Sequence, residues 1–193
     1  MREAIPFDSG QLFCTPWVFV TFYYPFRISP NDATNLGTYM MSEGFVFWDF
    51  GPEWWNCTHS ARVAAGESFE AVGTSKGRDW DYQVLPGSHP LYHCYYDMDD
   101  APHGQVWSDE RSQKFGDPGY IEGVTADGRL LMIFTNKFYV LVWSDWGVQH
   151  RVSRAYGMDV LDPTRQFQFG TNTIIFALTQ EGSITERMMD TVR

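Results

Sequence analysis

Residues 39–51 read Tyr-Met-Met-Ser-Glu-Gly-Phe-Val-Phe-Trp-Asp-Phe-Gly, and this stretch decides the predicted fold. Gly44 fits the position just past a helix, where a left-handed backbone is needed that glycine adopts at little cost. The large apolar residues 45–48 show no alternation, which is typical of a strand covered on both faces in a parallel sheet. Asp49 then falls at the carboxyl end of that strand, where ligands bind in open α/β sheets.

The residues before this stretch predict a strand and a helix. Residues 16–24 are rich in β-branched and aromatic side chains, which favours a buried strand. Ser29 and Pro30 mark a helix start, because serine caps helices and proline suits their first turn. A helix over 30–43 and a strand over 45–50 would complete a β-α-β unit.

Further elements are expected downstream. A helix is predicted at about 58–72, and the polar residues 76–81 are expected to form a loop. Asp-Gly at 127–128 separates two apolar runs, which is a strong hairpin signal. The second run, residues 130–134, is apolar on both faces and is expected in the central sheet. Residues 166–180 predict a buried helix.

The composition describes an acidic chain of 193 residues, interpreted as a single α/β domain over residues 1–193. The net charge of -10 argues against nucleic acid as a partner, because phosphate binding needs a basic surface. Three cysteines without a C-x-x-C pair indicate neither a disulfide framework nor a zinc ribbon. No cofactor, transmembrane segment or secretory signal is expected, so the location is cytoplasmic as written, or periplasmic if an export signal has been removed.

Four segments carry a resemblance to a known family. They are Glu-Gly-Phe-Val-Phe-Trp-Asp-Phe at 43–50, Leu-Pro-Gly-Ser-His-Pro-Leu-Tyr at 85–92, Ile-Glu-Gly-Val with Asp-Gly-Arg-Leu at 121–130, and Phe-Gly-Thr-Asn with Phe-Ala-Leu-Thr at 169–179. Their order and spacing resemble an uncharacterised bacterial domain-of-unknown-function family with a class I glutamine-amidotransferase-like, flavodoxin-like fold. The resemblance implies a three-layer α/β domain with a mostly parallel sheet and a hairpin extension.

The chain departs from this family in two ways. Family members usually have one more strand–helix unit before what is Pro16 here, and many carry a twin-arginine export signal. Both are interpreted as missing, with residues 1–15 forming an extended N-terminal arm. A sheet without its outer strand exposes unpaired backbone groups, which the arm, a second copy or another subunit would have to cover.

The amidotransferase-like reaction needs a nucleophile on the sharp turn after the central strand, with a base and an oxyanion hole. That turn contains Asp49 and no Cys or Ser at the elbow. A Cys–His triad could use Cys57 with His89 or His103, but a small packing residue is the favoured interpretation of Cys57. The chain is therefore expected not to be an enzyme of this kind.

A metal or acid–base site is a second hypothesis. Its candidate residues are His89, His93, Asp97, Asp99, Asp100 and His103. Zinc prefers His with carboxylates, and hard cations take several carboxylates, but the spacing matches neither a calcium loop nor an H-E-x-x-H motif. His89 is expected to cap a turn and the adjacent aspartates to form a solvated loop, so no metal is predicted.

A third hypothesis pairs Asp49 with Asp97 or Asp99, as two carboxylates act in glycoside hydrolysis. Against it stands a structural role for Asp49, as a cap or hydrogen-bond acceptor at the strand end. The alternative function that follows is a hydrolase, or a small-ligand or carbohydrate-binding domain, built on Asp49 and residues 89–103.

Aromatic residues make up 17% of the chain, and several fall in predicted loops. These are Trp54, Trp55, Tyr95, Tyr96, Trp143 and Trp146, with residues 139–143 expected as a strand or an apolar loop. Exposed aromatic clusters often mark contact sites, although these rings could also fold back over the sheet. The leading hypothesis is a non-catalytic structural or protein-interaction subunit of a larger assembly, which could lie at a membrane or contain several copies of the chain.

Overall fold

The computed structural model describes residues 5–22, 24–50, 57–102, 120–143, 164–181 and 183. The strands are β1 (Trp17–Phe22), β2 (Phe45–Phe50), β3 (Trp80–Val84), β4 (Glu122–Ala126) and β5 (Arg129–Thr135). The helices are α1 (Pro30–Met41), α2 (Cys57–Ala71), the short α3 (Tyr139–Trp143) and α4 (Thr164–Thr179), with 3-10 turns at Gly10–Cys14 and Pro90–Tyr92.

The five strands form one mixed sheet in the order β1-β2-β5-β4-β3. The pairs β1–β2 and β2–β5 are parallel, whereas β5–β4 and β4–β3 are antiparallel. The expectation of a mostly parallel, flavodoxin-like and amidotransferase-like sheet is therefore wrong. The reason is that β4 leads into β5 through a tight hairpin and β3 pairs with β4 in the antiparallel direction, so only two of the four strand pairs are parallel.

The core lies on both faces of β2, in which all six residues are buried. Val46, Trp48 and Phe50 pack towards α1 and α2, while Phe45 and Phe47 pack towards α4 and the segment 85–102. The prediction that residues 45–50 form a strand covered on both faces is confirmed. A strand buried on both sides has no solvent face, which explains its continuous apolar sequence.

Helix α1 begins as predicted but ends differently in detail. Ser29 caps it by accepting a hydrogen bond from the Asp32 N–H at 3.1 Å, and Pro30 occupies the first turn. At the other end Glu43, not Gly44, adopts the left-handed backbone, with φ of 78°. Gly44 is needed for a different reason, because a Cβ atom there would lie 2.3 Å from the Tyr39 ring.

Some of the other local predictions are confirmed and others are wrong. The hairpin at Asp127-Gly128 and the helices α2 and α4 are confirmed, and β5 lies inside the sheet. The loop predicted at 76–81 is wrong at its end, where β3 begins at Trp80. Residues 139–143 form neither a strand nor a loop but the helical turn α3. Residues 10–14 of the predicted extended arm form a 3-10 turn.

Among the helices that the structure describes, none combines the length and apolar character needed to cross a membrane.

Candidate functional site

Asp49 is fully buried at the carboxyl end of β2 and holds α3 in place. Its Oδ2 atom accepts a hydrogen bond of 2.7 Å from the Val140 N–H, across 91 positions of sequence. Burial raises the pKa of Asp49 to about 7, although the backbone N–H groups of residues 138–140 partly oppose this by favouring the carboxylate. The carboxyl group thus has a structural role at the start of α3, where it is enclosed by the described residues.

The candidate nucleophile Cys57 and the candidate base His89 lie in two different elements of the fold. Cys57 is buried in the first turn of α2, and burial raises the pKa of its thiol, which keeps it protonated. The Nδ1 atom of His89 accepts a hydrogen bond from the Leu91 N–H at 3.1 Å and so caps the turn Pro90–Tyr92. Burial lowers the pKa of His89. His103 lies outside the described residues.

His93 has both ring nitrogens engaged within its own loop. Nδ1 contacts the Asp97 carboxylate at 2.5 Å, and Nε2 contacts the Gly87 carbonyl at 2.8 Å. The bond to Asp97, followed by the bond to Gly87, raises the pKa of His93. With an oxygen atom against each ring nitrogen, the His93 ring is held by its own loop and presents neither nitrogen to a metal.

The carboxylates predicted to work together differ in their exposure to solvent. The side chain of Asp97 is 92% exposed, and Asp99 and Asp100 are exposed beside it, whereas Asp49 is buried under α3. Within the described ranges, no group of three or more His, Cys, Asp or Glu residues is placed to hold a metal ion. The described residues thus place Asp49 in an enclosed environment and Asp97 and Asp99 in a solvent-exposed one.

Segment 85–102 instead serves as a cover that is fastened to α4. The Asn172 side chain accepts a hydrogen bond from the Tyr96 N–H and donates one to the Tyr96 carbonyl, each 2.8 Å long. Tyr92 stacks on Phe169, and Tyr139 donates a hydrogen bond to the Pro102 carbonyl. The polar composition that suggested a binding loop therefore reflects the internal bonding of this segment.

The predicted aromatic contact residues divide into three groups. Tyr95 and Tyr96 are exposed and lie edge to face. Trp143 is half-buried in α3, where it packs on Phe19 and Phe47, so its predicted place in a loop is wrong. Trp54, Trp55 and Trp146 lie outside the described residues.

A small cleft does lie at the carboxyl ends of β2 and β5. Its volume is about 40 Å³, and its lining includes Thr58, Thr135 and Asn136, which is room for about one water molecule. Arg62 of α2 spans one side and donates to both carboxylate oxygens of Glu122 at 2.6 Å.

The outer edge of β1 carries backbone groups with which no described strand pairs. The Phe45 N–H donates to the Pro16 carbonyl at 3.1 Å, and β1 and β2 then continue in parallel register. Because backbone groups alternate in direction along a strand, residues 16, 18, 20 and 22 face β2. Trp17, Phe19 and Thr21 therefore present their N–H and C=O groups to the outer edge, where no described strand pairs with them.

The opposite edge of the sheet, β3, is guarded. Its Tyr82 N–H is occupied by the Asp81 carboxylate at 2.8 Å, and Lys76 lies 4.7 Å above the Tyr82 ring. Charges of this kind block the addition of a further strand. The sequence of β1, Trp-Val-Phe-Val-Thr-Phe, contains no charge and no proline, so only one of the two edges carries such protection.

One protein-family model covers most of the described residues. A family model described as Domain of unknown function (DUF4159) matches residues 1–178. The chain belongs to this family. The expectation of an uncharacterised domain family is confirmed, and the match extends from before β1 almost to the end of α4. No curated protein matches the chain.

Two long-range contacts of this DUF4159 domain are not indicated by its sequence. Asn172 stood within a recognised segment, but its partner Tyr96 lies 76 positions away. The Arg62–Glu122 pair spans 60 positions. No local pattern indicates such pairings, whereas an open sheet edge is among the expectations that the family resemblance carried.

Proposed function

We propose that the chain is a non-catalytic structural or protein-interaction subunit that joins a larger assembly through the outer edge of β1. The observation that carries this proposal is the edge itself. Trp17, Phe19 and Thr21 direct their backbone groups outward, and no described strand pairs with them. Unpaired strand edges are templates for the addition of a strand from another chain.

The side chains of β1 support the same proposal. Five of its six residues are apolar, and every one of the six remains at least partly accessible. Natural edge strands are usually blunted by charges, prolines or bulges, as β3 is by Asp81 and Lys76. An added strand would extend both apolar layers of the sheet and remove this surface from water.

The structural positions of the candidate catalytic residues also support a non-catalytic function. Asp49 anchors α3, Cys57 is a buried thiol, His89 caps a turn, and His93 is bonded at both nitrogens. Each of these groups is used to hold the fold. The net charge of -10 further favours a protein partner over a nucleic acid.

Replacing Thr21 with Pro is expected to disrupt assembly while leaving the domain folded. Thr21 is exposed and its N–H points away from β2, so proline removes a donor of the outer edge without breaking the sheet. We expect the amount of stoichiometrically associated protein to fall at least about tenfold, equivalent to a loss of about 1.4 kcal/mol. The measurement is native mass spectrometry of the tagged full-length chain purified from its source cell.

The matched control is Val84→Pro on β3. The Leu85 N–H donates to the Ile121 carbonyl, so the alternate residue Val84 also faces outward, but on the guarded edge. This variant should keep the wild-type associates. Equal association in the wild type and Thr21→Pro, or a wild-type chain with no associated protein, would refute the proposed function.

A further inference from the structure

We propose that the strand that pairs with β1 comes from a second copy of this chain, so that one sheet runs through both copies. This inference rests on the proposed function, because it names the partner of the same edge. In the proposed dimer the two β1 strands pair antiparallel around a twofold axis, which is the commonest symmetry of soluble oligomers.

The charge distribution favours self-association at this edge. The chain has 24 acidic residues and a net charge of -10, which opposes contact between two copies over most surfaces. Residues 9–31, which contain β1 and its flanks, include no Asp or Glu and a single cation, Arg27. The one uncharged edge of the sheet is thus where two copies meet with the least repulsion.

The symmetry of the sheet fixes which registers are possible. A twofold axis perpendicular to the sheet keeps each face on its own side. Trp17 and Phe19 pack on one face, whereas Val18, Val20 and Phe22 pack on the other. Odd-numbered residues must therefore lie opposite odd-numbered residues, which are also the residues whose backbone groups face outward.

One register uses every outward group. If Phe19 lies opposite Phe19 of the second copy, Trp17 lies opposite Thr21 of that copy. Each such pair exchanges two backbone hydrogen bonds, so the three pairs make about six. Shifting the register by two residues leaves an outward group of Trp17 or Thr21 without a β1 partner. The cross-strand neighbours in the favoured register are aromatic, β-branched or Thr, a combination that stabilises sheets.

Helix α4 provides a second apolar surface next to this edge. Trp143 packs on Phe19 of β1, and a Cβ atom on Gly170 would lie 3.0 Å from Trp143, so this flank of α4 faces the β1 side. Phe167 and Ile174 lie one turn before and one turn after Gly170 on the same flank. Both are exposed, while Asn172 fastens the opposite flank to segment 85–102.

Pairing of the two β1 strands would bring the two α4 flanks together above the joined sheet. Phe167 and Ile174 of each copy would then be covered by the same residues of the other copy. One symmetric contact would thus cover both the outer edge of β1 and the exposed apolar residues of α4.

The test is the mass of the purified full-length chain, measured by sedimentation equilibrium over a range of concentrations. We expect a dimer. Ile174→Glu should weaken it at least about tenfold in dissociation constant, because the glutamate is buried without a partner. Val63→Glu is the matched control: Val63 is 37% exposed on α2 and Ile174 is 40% exposed on α4. The Val63 variant should keep the wild-type constant.

Thr21→Pro provides an independent arm at the strand itself, and circular dichroism identifies any variant that fails to fold. A wild-type chain that is monomeric at all concentrations would overturn the second copy as partner. The proposed function would still stand in that case if Thr21→Pro released a different associated protein in the native purification. A dimer whose dissociation constant is unchanged by Ile174→Glu would also overturn this inference, since it would have formed through another surface.

Discussion

Replacing Asp49 with Asn is expected to remove most of the pH dependence of stability between about pH 4 and pH 7. Burial raises the pKa of Asp49 to about 7 in the folded chain, whereas an aspartate in an unfolded chain titrates near about 3.9. Between these values the folded chain holds a proton that the unfolded chain has released. The free energy of unfolding of the wild type therefore falls as the pH rises, by up to about 4 kcal/mol, and levels off above about pH 7.

Asn is the informative replacement because it keeps the shape and the acceptor. Its amide oxygen can still accept the hydrogen bond from the Val140 N–H, but it carries no charge that burial would penalise. The variant should therefore lose the downward slope and become more stable than the wild type at pH 8. Denaturant unfolding at pH 4 to 8 measures both curves.

The control for this experiment is Asp99→Asn, which changes an exposed aspartate. It should retain the wild-type slope, because it leaves the buried Asp49 in place. An Asp49→Asn variant that shows the same slope as the wild type would contradict the assignment of Asp49 as a buried anchor whose pKa is raised in the folded chain.

Replacing Gly37 with Ala is expected to destabilise the domain by about 1–3 kcal/mol. Gly37 lies where α1 crosses α2, and an added Cβ atom would be 2.1 Å from the Ser68 carbonyl oxygen and 2.9 Å from its carbon. Both neighbours are backbone atoms inside a helix, so they cannot rotate away. The two helices would have to separate, which loosens their packing over β2.

The comparison that isolates this contact is Gly66→Ala in α2. A Cβ atom there meets nothing closer than the Trp80 ring at 4.0 Å, and Ala favours a helix over Gly by about 1 kcal/mol. The Gly66 variant should therefore be more stable than the wild type, and the Gly37 variant less stable, in denaturant unfolding. If both variants gained stability, the close crossing of α1 and α2 would be refuted.

The elements that the sequence predicted best are those with local signals. The continuous apolar side chains of residues 45–48 predicted a buried strand. Ser29 and Pro30 predicted the start of α1, and Asp-Gly at 127–128 predicted the hairpin. Each of these features depends on a few neighbouring residues. They therefore fixed where strands and helices lie without fixing how the strands are arranged.

The arrangement was missed because it depends on distant pairings. Val84 lies opposite Glu122 in the antiparallel part of the sheet, a contact between segments far apart in sequence, and it places β3 at an edge instead of in a parallel series. The α3 turn likewise depends on Asp49, 91 positions earlier. The sequence places Asp49 at the end of β2, but its structural role depends on the distant N–H groups of residues 138–140.

Amide hydrogen exchange along β1, resolved residue by residue, tests the central claim most directly. Val18, Val20 and Phe22 should be protected in every folded form, because their N–H groups face β2. Trp17, Phe19 and Thr21 should exchange at least about tenfold more slowly in the assembled protein than in chains dissociated by dilution or by Ile174→Glu. Equal exchange at these three residues in the assembled and dissociated forms would contradict assembly through the edge of β1.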